Sequence, residues 1–382
     1  MVNSEVVSRH NTILFLLLMT QNSELRTHHF FMHRCIELAQ LGAGYVAPNP
    51  MVGAVLVHDE KIIGEGYHQK YGGPHAEVNC INSVKEEDKS LITESVLYVS
   101  LEPCSHFGKT PPCSDLIIAS KIPEVVIGCR DPFKEVNGKG IEKLKAAGVN
   151  VVYGILEKEC EQLNKRFFTF YTQHRPYIIL KWAQTADGFI ATSTQPSSKE
   201  KTFADPRVKR LLISSEQTNR LVHKWRSEEA AILVGTNTAL LDDPELTTRH
   251  WNGPSPVRLV VDMELRLPSS LKIFNQQQRT IIFNAIKHDE DGNTRYYQVT
   301  EDVNLVHQIV NALYQLKIQS VLVEGGARLL QSFIDEGMWD EARIIKNEKL
   351  IINNGLAAPG IELNKAIEEM KILDDSIKIY SR

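Results

Sequence analysis

The chain has 382 residues, 42% of them hydrophobic and 24% charged, which is ordinary for a soluble globular protein of two or three domains. Its net charge of −4 argues against a nucleic-acid-binding protein, which needs a basic face. Six cysteines are too few for a disulfide framework in a chain of this length, so we expect a reducing, cytoplasmic location.

The first 28 residues form an uncertain N-terminal extension. Their apolar run, 12–19, is too short to span a bilayer. It also lacks the flanking charge and the small-residue cleavage site of a signal peptide. We interpret the extension as disordered, or as the result of a translation start placed too far upstream, and we expect no membrane partner.

Hydrophobic spacing in the first half predicts an α/β domain. A charged and aromatic segment, 157–171, reads as a final helix, which His174-Arg175-Pro176 breaks. We therefore divide the chain into the extension 1–28, a first domain 29–174 and a second domain 175–382. The earlier elements are, in order, helix 30–41, strands 51–57 and 61–67, helix 75–84, strand 96–100, helix 113–119, strand 125–129, helix 141–147 and strand 151–153.

Two segments of the first domain carry a candidate zinc site. His75 and Glu77 form an H-x-E at a predicted helix start, and Cys104 and Cys113 form a P-C-x8-C. One imidazole and two thiolates leave the fourth position of a tetrahedral zinc open, as a catalytic site requires. Zinc lowers the pKa of a bound water to about 7, and Glu77 can carry protons to a leaving nitrogen, as in zinc deaminases. The alternatives are a structural zinc site and buried cysteines without a metal.

Two further polar residues of this domain have competing interpretations. Asn49 can hydrogen-bond a pyrimidine ring or its sugar, or it can form an Asx turn between two prolines. His106 lies between the cysteines, but three ligands suffice for a catalytic zinc. We interpret His106 as a loop or substrate-side residue.

The second half alternates strands and helices, which predicts a mainly parallel sheet. It opens with a nearly continuous apolar strand, 177–183, of the kind buried on both faces. Strand 320–324 is followed by Gly325-Gly326 and a helix start, a turn that lets backbone amides approach a phosphate but is also a common bare connection. The other predicted strands are 231–235, 257–262 and 280–284, and the helices are 217–227, 304–316 and 327–336.

Taken together, the motifs of both halves resemble the bifunctional deaminase–reductases of riboflavin biosynthesis. The resemblance covers roughly 29–361 and implies a cytidine-deaminase-like three-layer domain followed by a dihydrofolate-reductase-like domain that uses NADPH. The motifs that carry it are Pro48-Asn49-Pro50-Met51-Val52-Gly53-Ala54-Val55, Gly73-Pro74-His75-Ala76-Glu77, the segment from Pro103-Cys104 to Pro112-Cys113, Lys181-Trp182-Ala183-Gln184-Thr185-Ala186-Asp187-Gly188, His223-Lys224-Trp225-Arg226-Ser227, Gly235-Thr236-Asn237-Thr238, the segment from Asp242-Asp243-Pro244 to Arg249, and Glu324-Gly325-Gly326.

The family activity implied is a pair of consecutive steps on a small-molecule substrate. Zinc-dependent hydrolysis deaminates 2,5-diamino-6-(5-phosphoribosylamino)pyrimidin-4(3H)-one. Reduction by NADPH then gives 5-amino-6-(5-phosphoribitylamino)uracil. The alternative is a zinc-dependent base deaminase whose appended nucleotide-binding domain lacks reductase activity.

The resemblance also implies residue roles in the second domain. Arg226 and Arg249 suit a phosphate fork. Lys181 and Asp242 are polar groups for the region of the reacting sugar carbon, although Lys181 could instead form a buried ion pair and Asp242 a helix cap. The NADPH-binding residues implied are Ala183, Thr238, Asp242, Gly326, Ala327, Arg328, Leu329, Leu330, Gln331 and Ser332, and the substrate-binding residues are Arg226, Leu246, Arg249 and Glu324.

One region departs from the family pattern. The loop 192–212 is longer than usual, with Arg210 and Leu212 where the family has a serine and a tryptophan. We assign no cofactor or substrate contact to this loop. For the whole protein we expect a small-molecule substrate, no nucleic-acid or membrane partner, and a homo-oligomer.

Overall fold

The computed structural model describes residues 25–107, 111–192 and 211–382. The chain divides into two compact units between Thr172 and Gln173. The apolar run 12–19 and nearly all of the atypical loop 192–212 lie outside the described residues. Within the described ranges, no helix is long and apolar enough to cross a bilayer.

The first unit is built on a five-stranded sheet of order β2-β1-β3-β4-β5. Strand β1 is antiparallel to β2 and β3, whereas β3, β4 and β5 run parallel. The elements are α1 (25–40), β1 (Gly53–His58), β2 (Lys61–Tyr67), α2 (Ala76–Asn82), a 3-10 helix (Glu86–Glu94), β3 (Val96–Leu101), α3 (Cys113–Ala119), β4 (Glu124–Cys129), α4 (Lys139–Ala146), β5 (Asn150–Tyr153), α5 (Glu157–Leu163) and α6 (Lys165–Gln173).

Helices cover both faces of this sheet, because alternate strand residues point to opposite sides. Cys80 of α2, Ile117 of α3 and Leu144 of α4 belong to one apolar core. Met32 of α1 and Cys160 of α5 belong to the other. The predicted three-layer α/β architecture is thereby confirmed.

The helix expected over 157–171 is two helices, and Asn164 lies at the break. Its backbone (φ −105°, ψ 23°) leaves the helical region. Its buried side chain accepts from the backbone N–H of Met51 and donates to the carbonyl of Met51, both at 2.8 Å. The prediction of one continuous helix was wrong because this tertiary contact cannot be read from hydrophobic spacing.

The second unit is built on a ten-stranded sheet of order β11-β12-β10-β9-β8-β13-β6-β14-β17-β16. Strands β7 and β15 pair in a separate two-stranded sheet. The elements of the second unit are β6 (Tyr177–Gln184), β7 (Phe189–Thr192), α7 (Glu216–Glu228), β8 (Ala231–Gly235), α8 (Thr236–Asp242), β9 (Val257–Val261), a 3-10 helix (Lys272–Phe274), β10 (Thr280–Asn284), β11 (Asp289–Asp291), β12 (Thr294–Gln298), α9 (Leu305–Gln315), β13 (Ser320–Gly325), α10 (Ala327–Asp335), β14 (Glu341–Asn347), β15 (Gly355–Ala357), β16 (Glu368–Ile372) and β17 (Asp375–Ser381).

The strands from β12 to β14 across this sheet are parallel, as expected, and the strands at both edges are antiparallel. Strand β13 lies between β8 and β6 at the centre. Because parallel strands end at the same edge, the carboxyl ends of these three strands meet there. Residues that follow or close the three strands are thus placed together, at the position where open α/β sheets bind ligands.

Candidate active sites

The three predicted zinc ligands lie together in the first unit. Sγ of Cys113 and Sγ of Cys104 are 3.3 Å and 3.6 Å from Nδ1 of His75, and all three ligand atoms lie within 4.8 Å of one another. Ligands held about 2.0–2.3 Å from one tetrahedral zinc are themselves about 3.5 Å apart. The donor set therefore fits zinc in both chemistry and spacing.

Helix starts bring these ligands together. His75 is the N-cap of α2, and Cys113 is the first residue of α3. The backbone N–H of Cys113 donates to Sγ of Cys104 (3.3 Å), and the N–H of Ser114 donates to the carbonyl of Cys104 (3.1 Å). Since the first amides of a helix have no intrahelical acceptor, they are available to stabilise a thiolate.

The two thiols differ in proton affinity. The contact with Cys113 and, after it, the contact with His75 lower the pKa of Cys104 to about 4 against the opposing effect of burial. The pKa of Cys113 is raised, first by the contact with Cys104 and then by burial. The pKa of His75 is raised, mainly by its contact with Cys104. Without a cation the cluster thus retains a proton that a bound zinc would displace.

Glu77 stands beside the ligand cluster with a carboxyl suited to proton transfer. It is 3% exposed on the first turn of α2. Burial, followed by the negative charge of Cys104, raises the pKa of Glu77 to about 7. A general acid–base is most effective when its pKa lies near the working pH.

The cluster lies at a cavity of about 290 Å³. Asn49 lines this cavity, and its Nδ2 is 3.1 Å from Nε2 of His68. Nδ1 of His68 is 2.9 Å from the carbonyl of Pro74 and must donate to it, so Nε2 accepts from Asn49. Burial lowers the pKa of His68, consistent with this neutral tautomer. Asn49 is therefore held by a side chain at the cavity as well as lying in a turn.

Sequence reasoning missed several residues of the cavity wall. Asp131 lies just after the predicted strand 125–129 and outside every predicted element, yet it is buried, and burial raises its pKa to about 7. Phe133 stacks edge-on against Tyr171, with ring centroids 5.0 Å apart. His106 lines the same cavity outside the ligand cluster, as interpreted from the sequence. No local motif marks His68, Asp131 or the aromatic pair, because they come from separate segments of the chain.

A second cluster of charge surrounds Glu324 in the second unit. Nε and Nη2 of Arg226 donate to its two oxygens at 2.8 Å and 2.7 Å, and Nζ of Lys181 is 3.8 Å away. Burial opposes ionisation of Glu324, but Arg226 and Lys181 outweigh it and lower its pKa to about 2. Lys181 therefore does form a buried ion pair, the alternative weighed for it, and Glu324 already occupies the guanidinium fork of Arg226.

The glycine turn after Glu324 forms the start of α10. Gly325 has φ +154°, a conformation that favours glycine. A Cβ added to Gly325 or Gly326 would lie 3.4 Å or 3.3 Å from Oγ1 of Thr238. Thr238 on α8 thus closes the other side of the turn. A backbone cradle at a helix N-terminus fits the pyrophosphate of a dinucleotide.

The remaining predicted cofactor residues are not all grouped at this turn. Leu329 and Leu330 lie in the apolar core. Gln331 hydrogen-bonds with Gly360 and Asp335. Ser332 donates to the carbonyl of Arg328. Arg328 is exposed, and so is Asp242 at the end of α8. Two alanines are half-buried: Ala327 on the first turn of α10 and Ala183 on β6.

The two other predicted substrate residues differ in environment. Leu246 is 2% exposed in an apolar core and has φ +54°. Arg249 is exposed, and its Nη1 is 3.8 Å from a carboxylate oxygen of Glu245. His223 belongs to one of the motifs of the resemblance but received no predicted role. Its buried ring packs edge-on against His250, with centroids 4.7 Å apart. Burial and then the nearby Arg226 lower the pKa of His223 to about 4.

Two family models match the two halves of the chain. Residues 25–129 match the cytidine and deoxycytidylate deaminase zinc-binding region, and residues 176–351 match the RibD C-terminal domain. These matches, with the folds described above, give a cytidine-deaminase-like first half and a dihydrofolate-reductase-like second half.

Similarity to individual proteins extends over most of the chain. Riboflavin biosynthesis protein RibD of Aquifex aeolicus is 40% identical over 347 residues, which cover 90% of this chain and 92% of that protein. The Escherichia coli RibD is 34% identical, covering 87% and 92%. A crystal structure from Thermotoga maritima, described as a diaminohydroxyphosphoribosylaminopyrimidine deaminase/5-amino-6-(5-phosphoribosylamino)uracil reductase, is 35% identical with a TM-score of 0.82, covering 94% of this chain and 99% of that one. The chain therefore belongs to the RibD family of bifunctional riboflavin-biosynthesis enzymes, which combine a zinc-dependent deaminase with an NADPH-dependent reductase.

Proposed function

We propose that residues 29–174 deaminate 2,5-diamino-6-(5-phosphoribosylamino)pyrimidin-4(3H)-one and that residues 175–382 reduce the product to 5-amino-6-(5-phosphoribitylamino)uracil. The observation that carries the proposal is the buried, protonatable Glu77 beside three zinc-type ligands at one cavity. A structural zinc would need no such proton carrier and no adjoining cavity.

In the deaminase step, His75, Cys104 and Cys113 would hold zinc, which would supply an activated water for attack on the amine-bearing ring carbon. Glu77 takes a proton from that water and delivers it to the departing nitrogen. A C–O bond forms, the C–N bond breaks, and ammonia leaves. Asn49, held by His68, offers amide groups that can hydrogen-bond the pyrimidine and orient it.

In the reductase step, the Gly325–Gly326 turn and Thr238 would hold NADPH, which would supply a hydride. Reduction of the ribosyl group would form a C–H bond at C1′ and break the bond from C1′ to the ring oxygen, which takes up a proton as the ring opens to the ribityl chain. Lys181, whose Nζ is 3.8 Å from Glu324, is a largely buried ammonium group with protons that can serve that oxygen. Arg226, braced by Glu324, and Arg249 supply positive charge for the phosphate.

A base deaminase whose second half binds a nucleotide without reducing anything is not favoured. Residues 176–351 match the RibD C-terminal domain as a unit, and the RibD relatives match across both halves.

Turnover of the diaminopyrimidine phosphate tests the proposal. With zinc but without NADPH, the enzyme should release ammonia and stop at the deaminated compound. Addition of NADPH should then start NADPH oxidation and yield the ribityl product. Release of no ammonia by the zinc-loaded enzyme would contradict the deaminase assignment, and absence of NADPH oxidation on the deaminated compound would contradict the reductase assignment.

We also propose that the enzyme is a cytoplasmic homo-oligomer. All six cysteines are free, a state that a reducing compartment maintains. Sedimentation analysis of the purified chain measures the assembly directly, and a single species of 43.2 kDa would contradict the oligomer.

A further inference from the structure

A buried carboxylate outside the proposed catalytic set holds one wall of the deaminase cavity. Glu102 directly follows β3 and precedes Cys104 by two residues, and it is 3% exposed. Its oxygens accept four backbone N–H groups. Oε2 accepts from Asp131 (3.3 Å) and Gly138 (2.9 Å), and Oε1 accepts from Gly140 (2.9 Å) and Ile141 (3.3 Å).

Two of these donors, Asp131 and Gly138, lie in the loop that connects β4 to α4, and the other two lie in the first turn of α4. The same loop supplies Asp131, Phe133 and Val136 to the cavity wall. Asp131 is fixed twice, since its backbone N–H donates to Glu102 and its carboxylate accepts from the N–H of Phe133 at 2.8 Å. The position of this wall therefore depends on Glu102.

Close packing around Glu102 leaves little freedom for another side chain. A Cβ added to Gly140 would lie 2.0 Å from the carbonyl oxygen of Pro103 and 3.1 Å from Oε1 of Glu102. Helix α4 thus begins directly against the segment that carries Cys104. A carboxylate offers two acceptor oxygens to the four donors, whereas an amide offers one oxygen and turns an NH₂ group toward the other pair.

We propose that Glu102 is a positioning residue for substrate recognition by the deaminase. It fixes the wall 131–136 relative to the zinc ligand Cys104 and so controls how well the pyrimidine is bound, while Glu77 carries the chemistry. This inference rests on the proposed deaminase function. It extends that function to a residue that acts through the wall.

The test compares Glu102→Gln with Glu65→Gln in the full-length, zinc-loaded enzyme. Glu65 on β2 pairs with Arg34 at 2.6 Å and lies outside the cavity lining, so it is a matched loss of a carboxylate in the same unit. We expect Glu102→Gln to raise the KM for deamination about tenfold while kcat changes less than about threefold, because a displaced wall weakens binding more than proton transfer. Glu65→Gln should leave KM unchanged, and both variants should retain one zinc.

Two results would overturn the inference: a KM for Glu102→Gln equal to that of Glu65→Gln, or loss of zinc in proportion to the loss of activity. A second measurement applies even if Glu102→Gln does not fold. In the wild-type chain the amides of Gly140 and Ile141 lie in the first turn of α4 and have no intrahelical acceptor. Hydrogen exchange should find these two amides protected. Exchange at the rate of free amides would exclude their hydrogen bonds to the carboxylate of Glu102.

If the wild-type enzyme releases no ammonia, the proposed function fails and the exchange result still decides the role of Glu102 in the wall. The two failures are therefore distinguishable. Reduction of the already deaminated compound should proceed at the wild-type rate in both variants, because the change lies in the first unit.

Discussion

Two buried glutamates show how neighbouring charge decides the role of a carboxyl. Glu77 lies beside the thiolate of Cys104, and its pKa is raised to about 7. The side chain of Glu324 is also largely buried, with 7% exposed, but Arg226 and Lys181 lower its pKa to about 2. Burial alone favours the neutral acid in both places, so the sign of the nearest charge makes the difference. Glu77 can exchange a proton at neutral pH, whereas Glu324 stays ionised and braces Arg226.

Replacement of Glu77 by glutamine tests its role as proton carrier. Glutamine keeps the size and a hydrogen bond but cannot transfer a proton, so deamination should fall by about 10²–10⁴-fold. Zinc should stay bound, because Glu77 is not one of the three clustered ligands. Ammonia release and metal content are measured on the same preparation. Retention of more than a tenth of the activity with zinc bound would count against the assignment.

The Glu324 ion pair predicts a defined response to acid. Its pKa is 4.5 in the unfolded chain and about 2 in the folded one. Its contribution to the free energy of unfolding is therefore complete above pH 4.5 and decreases as the pH falls from there toward 2. Urea unfolding should show Glu324→Gln to be less stable than wild type by about 3 kcal/mol at pH 7. The difference should shrink below pH 4.5, where the wild-type carboxyl begins to protonate.

The control for this experiment is Glu264→Gln in the same unit. Glu264 pairs with Arg266 at 3.5 Å, and both side chains are more than half exposed. An exposed pair contributes little to stability, so this variant should follow the wild-type curve at each pH. A pH-independent difference for Glu324→Gln would show that packing, rather than charge, sets its effect.

At the residue scale, the zinc cluster was readable from the sequence and the cavity wall was not. Residue type and short spacing identify four residues of the cluster: His75, Glu77, Cys104 and Cys113. The structure brings these four residues together as expected. Asp131 comes from the end of a different strand, and its importance depends on burial, which spacing does not reveal. Arg226 was expected at the substrate phosphate, but its pairing with Glu324 was not foreseen, because the two lie 98 positions apart.

At the element scale, the start of α10 combines a strand end, two glycines and a helix N-terminus. Thr238 on α8 closes over this turn. The sequence indicated the turn through its glycine pair but did not reveal α8, since Thr236-Asn237-Thr238 contains weak helix formers. The short acidic strand β11 (Asp289–Asp291) was likewise missed, because its residues are depleted in strands and it forms through pairing with β12.

Substitution of Gly326 by alanine tests the turn as a cofactor cradle. The added Cβ would lie 3.3 Å from Oγ1 of Thr238 and would occupy the space where a phosphate approaches the backbone. We expect the Kd for NADPH to rise about tenfold, equivalent to about 1.4 kcal/mol. Fluorescence titration of the full-length chain measures the affinity.

Gly360→Ala is the matched control in the same unit. A Cβ there would meet only Oε1 of Gln331, at 3.9 Å, which is ordinary contact. Its NADPH affinity should equal that of wild type. If Gly326→Ala also binds NADPH normally, the cofactor phosphates do not use this turn, and another part of the second unit must hold them.

At the scale of the whole molecule, each compact unit has its own sheet, its own apolar cores and its own candidate site. The clustered zinc ligands all precede Thr172, and the residues proposed for NADPH all follow Gln173. Alternation of helices and strands predicted the sheet of the first unit and the parallel strands β6, β8, β9, β10 and β13 of the second, because the hydrophobic periods are local. Strands β14, β16 and β17 were not predicted. Strand β14 pairs parallel to β6 at the start of the second unit, β17 pairs antiparallel to β14, and a contact between segments so far apart in the chain leaves no local pattern.

This organisation predicts that zinc removal will separate the two activities. Zinc binding stabilises only the folded unit that holds its ligands, so chelation should lower the thermal midpoint of the first unit and leave that of the second unchanged. In the full-length enzyme, chelation should abolish ammonia release from the diaminopyrimidine phosphate. NADPH oxidation on the already deaminated compound should continue at the wild-type rate, because no proposed reductase group depends on His75, Cys104 or Cys113.

Readdition of zinc should restore ammonia release, which distinguishes metal loss from irreversible unfolding. Should NADPH oxidation fall in step with ammonia release while circular dichroism shows an intact fold, the two reactions would have to share one site, and the assignment of one activity to each unit would be wrong.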